Sequence, residues 1–140
     1  MFHKNYEQRL ETWSCLRQSL ESSNDAFQEV IEFYRQAPRA SIHTDPWSQE
    51  MWPTPWELIY ENQYDDFCTV LGMCYSLQLT ERFKGSKFEI HICTISSLSY
   101  LYLLFVDDYV LNYDEGKVVM KEDLPPEVKS QTVYTMPELH

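Results

Sequence analysis

Apolar residues recur at helical spacing along the first half of the chain and at alternate positions along much of the second. Tyr6, Leu10, Trp13, Leu16 and Leu20 predict an amphipathic helix over residues 3–21, with Glu7, Arg9, Glu11 and Arg17 on its outer side. Ser22-Ser23-Asn24-Asp25 supplies a turn and an N-cap for a second helix over residues 25–36. That helix carries Phe27, Val30, Ile31 and Tyr34 on one side, and Pro38 ends it. The pair reads as a helical hairpin. Residues 37–53 hold three prolines and no period, and predict an extended connection wrapped over the domain, with Ile42, Trp47 and Trp52 seeking burial.

Residues 45–83 are the centre of the pattern. Thr54-Pro55-Trp56-Glu57 is a capping box with proline at the first helical position, opening a short helix over residues 55–62. Asp65 caps a longer helix expected to run to residue 83, with Asp66 at its positive end. Arg82 and Lys84 complement the other end, and Gly85 is expected as a left-handed stop. Phe67, Val70, Leu71, Cys74 and Leu77 form one face, which Met73, Tyr75 and Leu79 widen almost all the way round. A helix apolar on most sides is buried, so this is the expected central helix.

Beyond Gly85 the period becomes two. Residues 88–95 alternate as a strand with one buried face. Ser96 to Ser99 turns, and residues 100–106 (YLYLLFV) form the most apolar and therefore central strand. Asp107-Asp108 reverses the chain, residues 109–113 return, residues 114–116 turn again, and residues 117–120 make a short fourth strand. The expected fold is α+β: a helical hairpin (1–36), the Pro/Trp connection (37–53), central helices (54–85), an antiparallel meander of about four strands (86–120) and a tail (121–140), in one domain. In the tail, Val133, Tyr134 and Met136 are candidates to add an edge strand or cover one.

Composition narrows the function. At 140 residues and 44% hydrophobic, the chain is long and apolar enough for a core. No apolar run is long enough to span a bilayer, and residues 1–10 lack a signal-peptide core. The expectation is a soluble intracellular protein with no membrane partner. Cys15, Cys68, Cys74 and Cys93 show no CxxC spacing and are expected as free thiols. The net charge is −11, and residues 45–83 carry seven acids against Arg82 alone. Such a surface repels phosphate backbones and argues against direct nucleic-acid binding. Its ordinary reading is solubility; the sharper one is docking to a basic partner.

Three constellations bear on chemistry. Cys68, His91 and Asp107 follow the chain order of cysteine enzymes, in which a helix-borne thiol is deprotonated by an imidazole. Against this, Asp65 and Asp66 raise a nearby thiol pKa, His91 alternates with Ile90 and Ile92, and Asp107 and Asp108 sit in a turn. Metal ligation is weaker: His43 and Asp45 lack a third ligand, and three scattered glycines make no phosphate loop. No metal or cofactor is expected. Trp47, Trp52 and Trp56, set among prolines, are core residues or interface anchors.

The phrases WPTPWELIYENQYDDF, LQLTERF, FEIHI and YLLFVDDYVLNY resemble small proteins of the T4-like cyanophages, a group of tailed phages. That resemblance implies a virion component or assembly factor. The helix-then-strands layout is also similar to a transglutaminase-like core, in which Cys68 matches the nucleophile by position. The strand that should carry the family's histidine, YLYLLFV, has none, which implies a degenerate copy. The expectation is therefore a non-enzymatic phage protein in the virion or host cytoplasm, with other phage proteins or itself as partner. A cysteine-dependent hydrolase or transferase, and an acidic decoy for a basic host protein, are the alternatives.

Overall fold

Asn5 and Gln8 open the first helix, α1 (Tyr6–Ser22), as a reciprocal capping box, so it starts at the first residue of its apolar pattern and three residues later than expected. The computed structural model describes residues 1–40, 44–96, 99–114 and 116–137. Asp25 caps α2 (Ala26–Tyr34). The Thr54–Glu57 box opens α3 (Pro55–Glu61), and Asn62 closes it in a left-handed conformation. Asp65 accepts from the Cys68 amide at 2.7 Å and starts α4 (Asp66–Gln78).

Helix α4 ends five residues short of expectation, and its C-terminal chemistry is not the one anticipated. The Thr80 hydroxyl takes the Leu77 carbonyl at 2.7 Å. Glu21 of α1 accepts the amides of Glu81 and Arg82, and the Arg82 guanidinium reaches back to the carbonyls of Leu20 and Ser23. Arg82 thus serves the end of α1, and Gly85 lacks the positive φ of a left-handed stop.

Among the described residues five strands follow: β1 (Phe88–Ser96), β2 (Ser99–Val106), β3 (Tyr109–Asp114), β4 (Lys117–Met120) and β5 (Lys129–Thr135). All pairings are antiparallel, in the order β4-β3-β2-β1-β5. The apolar strand β2 is central, as its composition required. The four-strand meander gains a fifth member, because the tail crosses back and pairs with β1. Tyr134 and Met136 then cover the main core while Val133 faces outward. The turn residues Ser97, Leu98 and Glu115, and the expected buried Ile42, lie outside the described residues.

The fold is α+β with its helices on one sheet face. Every α4 residue from Phe67 to Gln78 is buried. One core joins Trp13, Leu16 and Leu20 of α1, Val30 and Ile31 of α2, Leu58 and Ile59 of α3, the α4 residues, and Ile90, Leu104 and Leu111 of the sheet. Arg9, expected outside α1, is buried instead. Its guanidinium donates to the carbonyls of Ile59, Tyr60 and Lys4, so a cation caps the negative end of α3. Full hydrogen bonding is what makes that burial tolerable.

Candidate functional site

The structure separates the three residues of the cysteine-enzyme order. Cys68 lies in the first turn of α4 on the helical side. His91 alternates with Ile90, and β1 pairs it with Leu103 while Ile90 faces Leu104. Ile90 and Leu104 belong to the helix-side core; Leu103 belongs to a second cluster with Cys93, Phe105 and Val110 on the other face. The sheet therefore stands between Cys68 and His91. Burial, and the carboxylate of Asp65, push the Cys68 thiol up to about 12, against a helpful Thr44 hydroxyl at 3.1 Å. Asp107 is a turn residue with φ 53°, and its carboxylate accepts the Lys87 amide at 2.8 Å. That bond anchors the β2–β3 turn to the start of β1.

On the outer face His91 has partners of its own. Its ring stacks on Phe105 with centroids 3.8 Å apart and planes 18° apart. Nε2 lies 3.2 Å from Glu89 Oε1, and Nδ1 lies 2.7 Å from Ser130 Oγ. Lys87 Nζ sits 3.3 Å from the second Glu89 oxygen. Ser130 reaches this face through an irregularity in the β1–β5 pairing. Ile92 faces Thr132 and Cys93 faces Ser130, so Gln131 is the extra residue of a bulge. Without it, Ser130 would point to the opposite face. The alternation of Glu89, His91 and Cys93 was visible in the sequence; the serine was not, since its placement depends on that bulge.

The three tryptophans have different fates. Trp52 is 8% exposed and packs between Phe67 and Tyr134, each at 4.9 Å. It belongs to the core. Trp47 is 47% exposed and meets Tyr100 edge-on at 5.8 Å. Trp56, on α3, is 49% exposed and stands edge-on to buried Trp13 at 5.4 Å. One turn later Tyr60, 66% exposed, meets Tyr6 at 5.2 Å. Met51, in the preceding turn, is 72% exposed. Arg17 lies over the Trp13 ring at 4.5 Å. The seam of α1 and α3 thus shows a row of apolar side chains to solvent. Glu50, Glu57 and Glu61 are exposed in the same stretch, and residues 45–81 carry no Lys or Arg, while α1 brings Arg17 to the seam. Tyr60 and Met51 were absent from the expected interface set, although Tyr60 follows Trp56 at the i+4 spacing that puts both on one helix face.

A cavity of about 430 Å³ opens between the end of α2 and β3, lined by Arg35, Arg39, Asp66, Asn112 and Tyr113. Arg39 pairs with Asp66 at 2.6 Å and Arg35 with Glu32 at 3.2 Å, so both cations are already matched. Among the described residues no cluster of His, Cys, Asp and Glu is arranged to hold a metal ion, and His43 lies outside them. The four cysteines are free thiols. No helix of the described residues is long and apolar enough to cross a membrane. No protein-family model matches this chain, and neither does any curated protein or solved structure.

Proposed function

We propose that this chain works through protein–protein contacts, as a virion or assembly component of a tailed phage, and not through chemistry at Cys68. The observation that carries the reading is the seam of Met51, Trp56 and Tyr60 on α3 and the turn before it. Large aromatics left half in water at the middle of an ordered surface are what interfaces use as anchors. Glu57 and Glu61, next to them on α3, outnumber the Arg17 that lies over Trp13 and give the patch an acidic bias. Its partner is a basic segment with apolar side chains spaced to enter between Trp56 and Tyr60, and repulsion keeps nucleic acid away. The phage-like phrases of residues 52–67 run through this same helix, which links the suggested origin to the suggested surface.

Quantitative mass spectrometry of purified particles, and of assembly intermediates from infected cells, tests the reading. The expected result is this chain at a fixed copy number per particle or intermediate. The Trp56→Ser/Tyr60→Ser double variant should fold and yet be missing from both. Absence of the native chain from both preparations overturns the proposal. Retention of the double variant at native copy number moves the contact away from α3.

A further inference from the structure

The outer sheet face carries an arrangement that the contact surface on α3 does not use. Glu89, His91 and Ser130 form one hydrogen-bonded line, with contacts of 3.2 Å and 2.7 Å at the two ring nitrogens. Burial alone would raise the Glu89 carboxyl, but its bonds to His91 and Lys87 hold it below the usual range, so it is ionised at neutral pH. An ionised carboxylate only accepts, so the ring proton sits on Nε2. Nδ1 then holds the free lone pair, and the Ser130 hydroxyl donates into it. Burial lowers the imidazole pKa; Glu89 opposes this, and the charges of Lys121 and Lys87 assist it. The base is therefore neutral and able to take a proton. Phe105 beneath the ring and Lys87 on the far carboxylate oxygen fix the geometry from both sides.

We propose that Ser130 is a base-activated nucleophile toward small activated acyl esters, with His91 as general base and Glu89 as the positioning group. The roles are those of a serine–histidine–acid site, with the two ring nitrogens exchanged. Ser130 is exposed on an edge strand, so an ester reaches Oγ without passing a gate. Cys93 is buried beneath the serine, its sulfur 3.5 Å from Oγ, and the partly exposed Val128, packed on the same outer cluster, offers the apolar surface for a short acyl chain. In the acylation step Oγ bonds to the ester carbon as its proton passes to Nδ1. The ester C–O bond breaks, and the leaving alcohol takes that proton. Water then attacks the acyl-serine, giving a proton to Nδ1; the acyl–Oγ bond breaks, Oγ takes that proton back from Nδ1, and the carboxylic acid leaves. The bulge at Gln131 that turns Ser130 onto this face is the kind of irregularity that re-aims side chains at active sites.

The test treats the intact protein with an alkyl fluorophosphonate, whose P–F bond breaks as the serine oxygen bonds to phosphorus, and follows p-nitrophenyl acetate cleavage in parallel. Peptide mapping should find one adduct, on Ser130, and Ser130→Ala should abolish both signals. His91→Gln should slow labelling by about 100-fold or more, the scale of general-base catalysis. Glu89→Gln preserves size and shape but offers an N–H to Nε2. It should turn the tautomer and slow labelling as well, and it decides the question if His91→Gln fails to fold. The native rate should rise with pH through a midpoint below 6.5, the ordinary histidine value. Labelling of Ser130 no faster than that of Ser19, an exposed helical serine, overturns the proposal. So does a Ser130 rate unchanged by both His91→Gln and Glu89→Gln.

Discussion

The two faces of this sheet are built on different terms. The helical side is dry, with Phe67, Leu71, Leu77, Ile90 and Leu104 each 1% exposed or less. Inside it one polar trio is bonded together, while the Tyr64 hydroxyl and the Trp52 indole nitrogen meet no hydrogen-bond partner among the described residues. The Trp13 indole donates to Ser76 Oγ at 2.8 Å, the Tyr34 hydroxyl lies 3.0 Å from the same oxygen, and Ser76 donates to the Gly72 carbonyl at 2.7 Å. The outer side has only a thin apolar cluster, Cys93, Leu103, Phe105 and Val110, under the 121–128 segment and beside the Glu89–His91–Ser130 line. Thick cover buys stability, and thin cover leaves a reactive group within reach of solvent. Equal truncations on the two faces should therefore not cost the same.

The largest difference is expected between Phe67→Ala and Phe105→Ala. Phe67 sits among Trp52, Tyr102 and the α4 neighbours, where little can move in to fill its space. Its loss should cost about 5 kcal/mol, and that of Phe105, in the smaller outer cluster, about 3, the two ends of the range for a buried phenylalanine. Urea unfolding of both variants measures this, and equal losses would erase the distinction between the faces. Next comes Ser76→Ala, which strands the Trp13 indole and the Tyr34 hydroxyl in the dry core at about 1–3 kcal/mol each. Adding Tyr34→Phe to that variant removes one stranded group, so the double variant should be no less stable than Ser76→Ala alone.

Much of the helical side was legible because its signals are local. Thr54, Glu57 and Asp65 announce helix starts through bonds made within three residues, and the structure makes those bonds. The alternation around Ile90 and Ile92 places the buried strand face without reference to any other element. What escaped was set by distant partners. Arg9 looks solvent-bound by its charge, yet carbonyls fifty positions away satisfy it. Trp47 and Trp52 sit in like surroundings in the sequence, and only Phe67 and Tyr134 decide that Trp52 is the buried one. Ser130 depends on a bulge on a strand whose pairing the tail does not reveal. The candidate site was thus less readable than the fold: Trp56 could be singled out early, but not the Glu89–His91–Ser130 line.

A smaller effect sharpens the account of the dry face. At Gly72 an added methyl would meet Tyr34 at 2.5 Å from Cε1 and 2.8 Å from Cζ. Tyr34 is held by Ser76, so its ring has little freedom to yield. Alanine should gain about 1 kcal/mol in helix propensity and lose about 1–3 to overpacking, for a net loss of up to about 2. A melting temperature at or above the native one would show that α2 and α4 can slide apart more readily than their shared hydrogen bonds imply.

The outer face should instead reveal itself through pH. The folded His91 has a pKa below its ordinary 6.5, chiefly through burial, so the unfolded chain takes up a proton first as the solution is acidified. Stability contributed by the neutral ring is present above 6.5 and is lost from there down to the folded pKa. Glu89 behaves with the same sign at lower pH. Its bonds to His91 and Lys87 outweigh burial and hold its carboxyl below the ordinary 4.5, so its contribution is lost as pH falls beneath that value. Acid should therefore weaken the fold in two successive legs. Urea midpoints taken between about pH 7.5 and 5.5 isolate the first leg. His91→Phe keeps the stack on Phe105 but has nothing to protonate, so its midpoint should change less over that interval than the native one. Equal slopes in the two proteins would mean that the imidazole accepts its proton in place, with Glu89 compensating for burial in full, and the base assigned to Ser130 would then titrate at the ordinary 6.5 and not below it.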